Sequence, residues 1–249
     1  MFHKIMKGLA PAAALAIGTL VSGCNINVDM GGMEGVTLAE LDTSGTPPTE
    51  INLVGPDNVT VERGDTFAVD VTGDDEAVAA VRFERDGDDL TIGRHKDAER
   101  NIGKATIRVT LPSLNAIAIA GSGSATTDHL DGSGEISIAG SGDVTLSDIA
   151  ADSLDISIAG SGDVEGTGAA NSLDASIAGS GSIKLGSVKV DSADISIAGS
   201  GDVAFASDGT VEASIVGSGD VDVTGSATCT VSALGSGKLR CSAGATEAP

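Results

Sequence analysis

Four aspartates, Asp143, Asp163, Asp202 and Asp220, each stand directly after a Gly-Ser-Gly triplet. Carboxylates repeated in one setting can accept backbone N–H bonds at a bend. They can also ligate a hard cation such as Ca2+, or pair as the acid and base of a glycan-cleaving enzyme. Ser182 and Lys238 hold the same place in two further copies and interrupt the column. Gly-Ser-Gly-Asp-Val shares part of the calcium-binding nonapeptide pattern, but its Asp comes one residue early and the period is doubled. Two imidazoles beyond the N-terminal leader, His95 and His129, lie beside no Ser or Cys nucleophile, so both are expected at the surface and no catalytic residue is assigned. Thiol chemistry rests on Cys24, Cys229 and Cys241.

What must position these groups is a repeat. Gly-Ser-Gly begins at Gly121, Gly140, Gly160, Gly179, Gly199, Gly217 and Gly235, at steps of 19, 20, 19, 20, 18 and 18 residues. Before each corner apolar and polar residues alternate, as in Glu135-Ile-Ser-Ile-Ala-Gly and Asp194-Ile-Ser-Ile-Ala-Gly. Period two means strand. The steps are too short for a strand–helix–strand crossover. Strands joined only by bends coil into a parallel β-helix, each coil ~4.8 Å above the last. Ile136, Ile156, Ala175, Ile195, Ala213 and Val231 then form one inward ladder, and Ile138, Ile158, Ile177, Ile197, Ile215 and Ala233 a second. Between them run outward serines, Ser137 to Ser232, beside Glu135, Asp155, Asp174, Asp194 and Glu212. That face is acidic and rich in hydroxyls, fit for a sugar or a basic protein patch. The competing architecture, an antiparallel barrel of hairpins, calls for turn signals at about half the observed spacing.

The N-terminus reads as a lipoprotein signal. Lys4 and Lys7 precede an apolar stretch, Leu9 to Val21, too short to span a bilayer. Val21-Ser22-Gly23-Cys24 then matches a lipobox, which makes Cys24 the expected site of lipidation and the membrane contact of residues 24 onward. Asn25 in place of an Asp favours the outer membrane. Residues 1–23 hold two lysines and no acid, so the remainder carries 12 Lys+Arg against 36 Asp+Glu, a charge of −24. That opposes contact with nucleic acid. Residues 24–49, with Gly and Pro among polar residues, are expected to form a tether, and 242–249 a tail. In the repeat register Cys229 and Cys241 both point inward in the last coil, where an oxidising compartment lets them bond.

Residues 50–115 lack the beat yet alternate in short runs: Val59-Thr-Val-Glu, Phe67-Ala-Val-Asp-Val, Asp89-Leu-Thr-Ile. We expect irregular or antiparallel strands that cap the N-terminal end of the repeats at 116–241. Together with Ile119-Ala-Gly-Ser-Gly and its later copies, these runs resemble the auto-transporter adhesin head family, also called the GIN domain, over residues 50–241. The resemblance implies a right-handed parallel β-helix. It does not imply autotransport, because the ~10-residue alternating strands of a translocation barrel are missing.

The sequence therefore describes an all-β solenoid in the cell envelope with a binding or structural role and no catalytic activity. Its partners would be the membrane, through Cys24, and an envelope protein or glycan. Structural Ca2+ on the Asp column is the one cofactor it could take. The alternative is a glycan-active lyase or hydrolase on a β-helix.

Overall fold

A computed structural model describes residues 32–99 and 101–242. The signal segment, Cys24 and most of the C-terminal tail lie outside the described residues. The architecture is a parallel β-solenoid of about seven turns. Its strands are β1 (Glu50–Gly55), β2 (Asn58–Arg63), β3 (Ala68–Gly73), β4 (Val81–Asp86), β5 (Asp89–Arg94), β6 (Ala105–Leu111), β7 (Ala116–Gly121) and β8 (Ser124–Thr127). There follow β9 (Leu130–Gly140), β10 (Asp143–Gly160), β11 (Asp163–Gly179), β12 (Ser182–Gly199), β13 (Asp202–Gly217), β14 (Asp220–Thr224), β15 (Thr228–Gly235) and β16 (Lys238–Cys241). One short helix, α1 (Asp75–Ala80), links β3 to β4.

Equivalent residues stack as the period demands: Ile136 on Ile156, Ile156 on Ala175, Ala175 on Ile195. Both inward ladders are buried from Ile136 and Ile138 up to Ala213 and Ile215. The glycine corners are a packing requirement. A Cβ on Gly160, whose φ is +140°, would lie 2.0 Å from the Gly140 carbonyl oxygen one coil below. A Cβ on Gly162 would lie 2.1 Å from that of Gly142. The intervening Ser161 N–H donates to Gly140 O at 2.8 Å, and Ser180, Ser200, Ser218 and Ser236 repeat this contact on their own coils. Glycine on both sides of the serine thus lets successive corners approach closely enough to bond.

The N-terminal region is in part the expected antiparallel cap and in part a continuation of the solenoid. β1 pairs in parallel with β7, and Gly55 stacks on Gly121. Gly55-Pro56-Asp57 is therefore a repeat corner in disguise. β5 and β6 form a further coil beneath β1 and β2, again parallel. Only β3 and β4 run against the coil direction, on β6 and β5 respectively. The chain leaves the stack after β2, lays down this reversed outer layer, then returns through β5 and β6 to resume at β7. Ala77 and Ala80 of α1 are buried over the end of the core.

Residues 32–49 correct the tether expectation, because they pack on this cap. Val36 and Phe83 exchange backbone hydrogen bonds of 2.8 and 2.9 Å, which satisfies Phe83 on the outer edge of β4. Met33 N–H donates to Arg94 O at 2.8 Å. The Arg85 guanidinium donates to the carbonyls of Asp42 and Ser44, at 3.0 and 2.8 Å, and to that of Thr46. A free strand edge and a cation within reach give polar residues reason to stay in place.

Candidate functional site

Two columns of carboxylates run along the solenoid, and they are treated differently. The corner column holds Asp143, Asp163, Asp202 and Asp220. Asp163 N–H donates to Asp143 Oδ1 at 3.1 Å, and Ser182 N–H to Asp163 Oδ1 at 3.0 Å. The amides of Asp220 and Lys238 donate to Asp202 and Asp220 in the same way, both at 2.9 Å. Each aspartate thus satisfies the first amide after the corner of the next coil. Partial burial alone raises the Asp163 carboxyl, but the ammonium of Lys184 at 2.9 Å and the Ser182 amide outweigh it and hold it below its usual value. Arg240 does the same for Asp220, at 2.8 Å. Ser182 splits the column into two pairs. Among the described residues no group of three or more His, Cys, Asp or Glu side chains is gathered to hold a metal ion.

The second column is Glu135, Asp155, Asp174, Asp194 and Glu212, one residue per coil in direct register. Asp155, Asp174, Asp194 and Glu212, with Ser153, Ser172 and Ser192, line a shallow open trench. Among the described residues no salt bridge joins a cation to any of these carboxylates. Desolvation, and then the charge of the carboxylate one coil above, push Glu135, Asp155 and Asp174 above the usual carboxylate range. Their neighbours on the strand, Ser157, Ser176 and Ser196, face outward and add hydroxyls along the same line. The result is a linear track of unneutralised negative charge, repeated at about one carboxylate per 4.8 Å. Stacked like charges at that spacing repel, and a cationic partner laid along the track would relieve them.

His95 is half-exposed, with Nδ1 3.8 Å from Asp97. His129 corrects the surface expectation: its side chain is 1% exposed. Its Nδ1 lies 2.6 Å from Asp128 Oδ1, and Nε2 has no hydrogen-bond partner. β8 ends early at Thr127, whose hydroxyl donates to the His129 carbonyl. This short bend turns the ring inward just before the buried Leu130. A lone His between Asp and Leu carries no periodicity from which its direction could be read.

Cys229 and Cys241 are joined as a disulfide across the last coil, with Cα atoms 6.8 Å apart. The sequence did not reveal the one ion pair that is buried on both sides among the described residues. Asp57, 1% exposed, receives two hydrogen bonds from Arg94, of 2.7 and 2.6 Å, and one from the Ala105 amide at 2.7 Å. The two residues are 37 positions apart and belong to no repeat. A Pro-Asp where later coils have Ser-Gly is the only signal.

A family profile described as "Putative auto-transporter adhesin, head GIN domain" matches residues 47–227. The chain belongs to this GIN-domain family. Solved structures share the fold. A putative adhesin from Bacteroides fragilis aligns with a TM-score of 0.75 at 23% identity, over 80% of this chain and 94% of the other. A putative lipid binding protein from Parabacteroides distasonis gives 0.60 at 24%, over 84% and 94%. A putative adhesin from Parabacteroides merdae gives 0.60 at 20%, over 80% and 93%. At these identities the likeness speaks for the fold of the GIN domain and for nothing finer. Among curated proteins there is no match. No helix among the described residues is long and apolar enough to cross a membrane.

Proposed function

We propose that this GIN-domain protein is a lipid-anchored, non-enzymatic component of the cell envelope, held in the outer membrane through Cys24. Its solenoid face binds an envelope protein or glycan along the carboxylate trench. The carrying observation is the contrast between the two acidic columns. The corner aspartates are bonded to amides and, at Asp163 and Asp220, neutralised by cations, as structural groups are. Among the described residues the trench carboxylates carry no such partner, and they repel one another. A fold has no need of that arrangement, whereas a binding track for cationic groups does. Membership in a family described as adhesins agrees with a binding role.

The test compares the chain with a variant carrying Asp155→Asn, Asp174→Asn and Asp194→Asn. Envelope extracts are passed over both, immobilised, at low and high salt and with and without calcium. The unsubstituted protein should retain a partner that salt elutes and that the variant does not retain. The same retained set on both would sink the reading. For the anchor, intact mass after expression in a bacterial envelope should show acyl chains on Cys24 and none in Cys24→Ser.

A further inference from the structure

Among the described residues nothing covers the C-terminal end of the solenoid. There β15 pairs with β13 alone and β16 with β14 alone, so each presents an edge of backbone N–H and C=O groups. One inward ladder surfaces here at Val231, 47% exposed, and Leu234, stacked on the outward Val216, is 74% exposed. The charge pattern changes at the same place. Every coil from β9 to β13 carries acidic residues, yet no Asp or Glu lies between Asp222 and Glu247. Thr230 replaces the trench carboxylate, and Lys238 the corner aspartate. Arg240 reaches back to Asp220 and Asp222, at 2.8 and 3.2 Å, and neutralises the coil below. In a chain of charge −22 the described part of this end presents backbone edges and aliphatic side chains without net negative charge.

We propose that this end is the docking surface for a second copy of the same chain, with β15 pairing antiparallel to β15 of the other protomer. The opposite end suits this less: Val36 bridges β4 at Phe83, and β3 carries Asp70 at its centre and has α1 against it. Two copies that meet at like ends close into a two-fold dimer rather than a fibre. Core-facing residues must oppose core-facing residues, because a slip of one turns the ladder inside out. Pairing about Val231 meets that condition. It sets Val231 against its own copy, Cys229 against Ala233 and Thr230 against Ser232, with no two like charges opposed. The whole molecules repel, so the contact is made by backbone and apolar groups working against charge. Salt should therefore tighten it, the reverse of what a charge-paired interface shows.

The test is sedimentation equilibrium of the full chain carrying Cys24→Ser, from micromolar to submillimolar concentration, at low and high salt. A reversible dimer is expected, with a larger dimer fraction at high salt. Val231→Lys together with Leu234→Lys should give a monomer at every concentration and the same circular dichroism spectrum. Hydrogen exchange of the unsubstituted protein gives an independent check, since the β15 amides should slow as concentration rises. A monomer throughout, a dimer that salt dissociates, or a dimer that survives both lysines would overturn the proposal. So would a monomer that dimerises only when residues 243–249 are removed, which would show that the chain's own terminus occupies the edge.

Discussion

The N-terminal end of the solenoid is closed by chain that reverses direction; the C-terminal end stays open, its last coil pinned by a covalent bond. At the first, β3 and β4 run against the coils, α1 lies over the core, Val36 bridges β4 at Phe83, and a buried Asp57–Arg94 pair ties the corner of β1 to β5 and β6. At the second, the last coil has half-exposed ladders and a disulfide across it. The difference teaches what a repeat can supply for itself. Each internal coil is satisfied by its neighbours above and below, so only the ends need special devices, and those devices are where the sequence stops repeating.

The comparison breaks first at the buried ion pair. Asp57→Ala leaves the Arg94 guanidinium buried without its carboxylate and should cost about 3–5 kcal/mol. A urea midpoint within error of the unsubstituted protein would show that the cap does not support the stack. Next is the corner clash. Gly160→Ala and Gly235→Ala meet nearly the same obstacle, a carbonyl oxygen at 2.0 and 2.1 Å, with φ near +140° in both. In the interior the strain, about 1–3 kcal/mol or more, must be borne by the whole fold. At the open end the coil can fray instead. The first should lower the global melting midpoint and the second leave it close to unchanged. Equal losses would mean that the last coil is as firmly held as the middle.

Reducing the disulfide, or Cys229→Ser with Cys241→Ser, removes the closure of a short loop worth about 2–3 kcal/mol. The loss should appear as faster exchange in β15 and β16, with little change in the global midpoint. Intact mass without reductant checks that the bond forms, and two free thiols would contradict it. A smaller effect comes from pH. Glu135, Asp155 and Asp174 hold their protons more tightly in the folded than in the unfolded chain. Their protonation therefore stabilises the fold as pH falls from neutral toward the ordinary carboxylate range near ~4. Asp163 and Asp220 are lowered, and Asp208 is held at about 2 by Lys189 and the Ser226 amide and hydroxyl. Their contribution is present above the ordinary range and lost below it. The melting temperature should pass through a shallow maximum on acidification. Asp155→Asn with Asp174→Asn should remove the rise but keep the fall. The smallest expected effect is that of calcium. With the corner carboxylates already accepting amide N–H bonds, the midpoint should not move on adding EDTA or calcium, and a rise with calcium would reinstate the cation ladder.

The interior of the solenoid was legible because its instruction is written once per coil. Ile156-Ser-Ile and Gly160-Ser-Gly specify face, corner and register together, and each copy repeats the message. The trench followed from the same register. The first corner, Gly55-Pro56-Asp57, was not legible because Pro and Asp stand where Ser and Gly do later, and 66 residues separate Gly55 from Gly121. Only the match of Ile51 and Leu53 to Ile117 and Ile119 betrays it. The Asp57–Arg94 pair and the inward turn of His129 depend on single contacts between segments with no period, so no pattern announces them. Residues 32–49 looked like linker by composition, yet composition is silent about whether a nearby strand edge needs a partner.

The asymmetry of the two ends is tested most directly by native-state hydrogen exchange, read strand by strand, on the chain carrying Val231→Lys and Leu234→Lys to keep it single. β15 and β16 should exchange first, β10 to β12 last, and β1 and β5 close to the interior value. Fast exchange at β1 and β5 with a protected β15, or uniform protection from end to end, would contradict it.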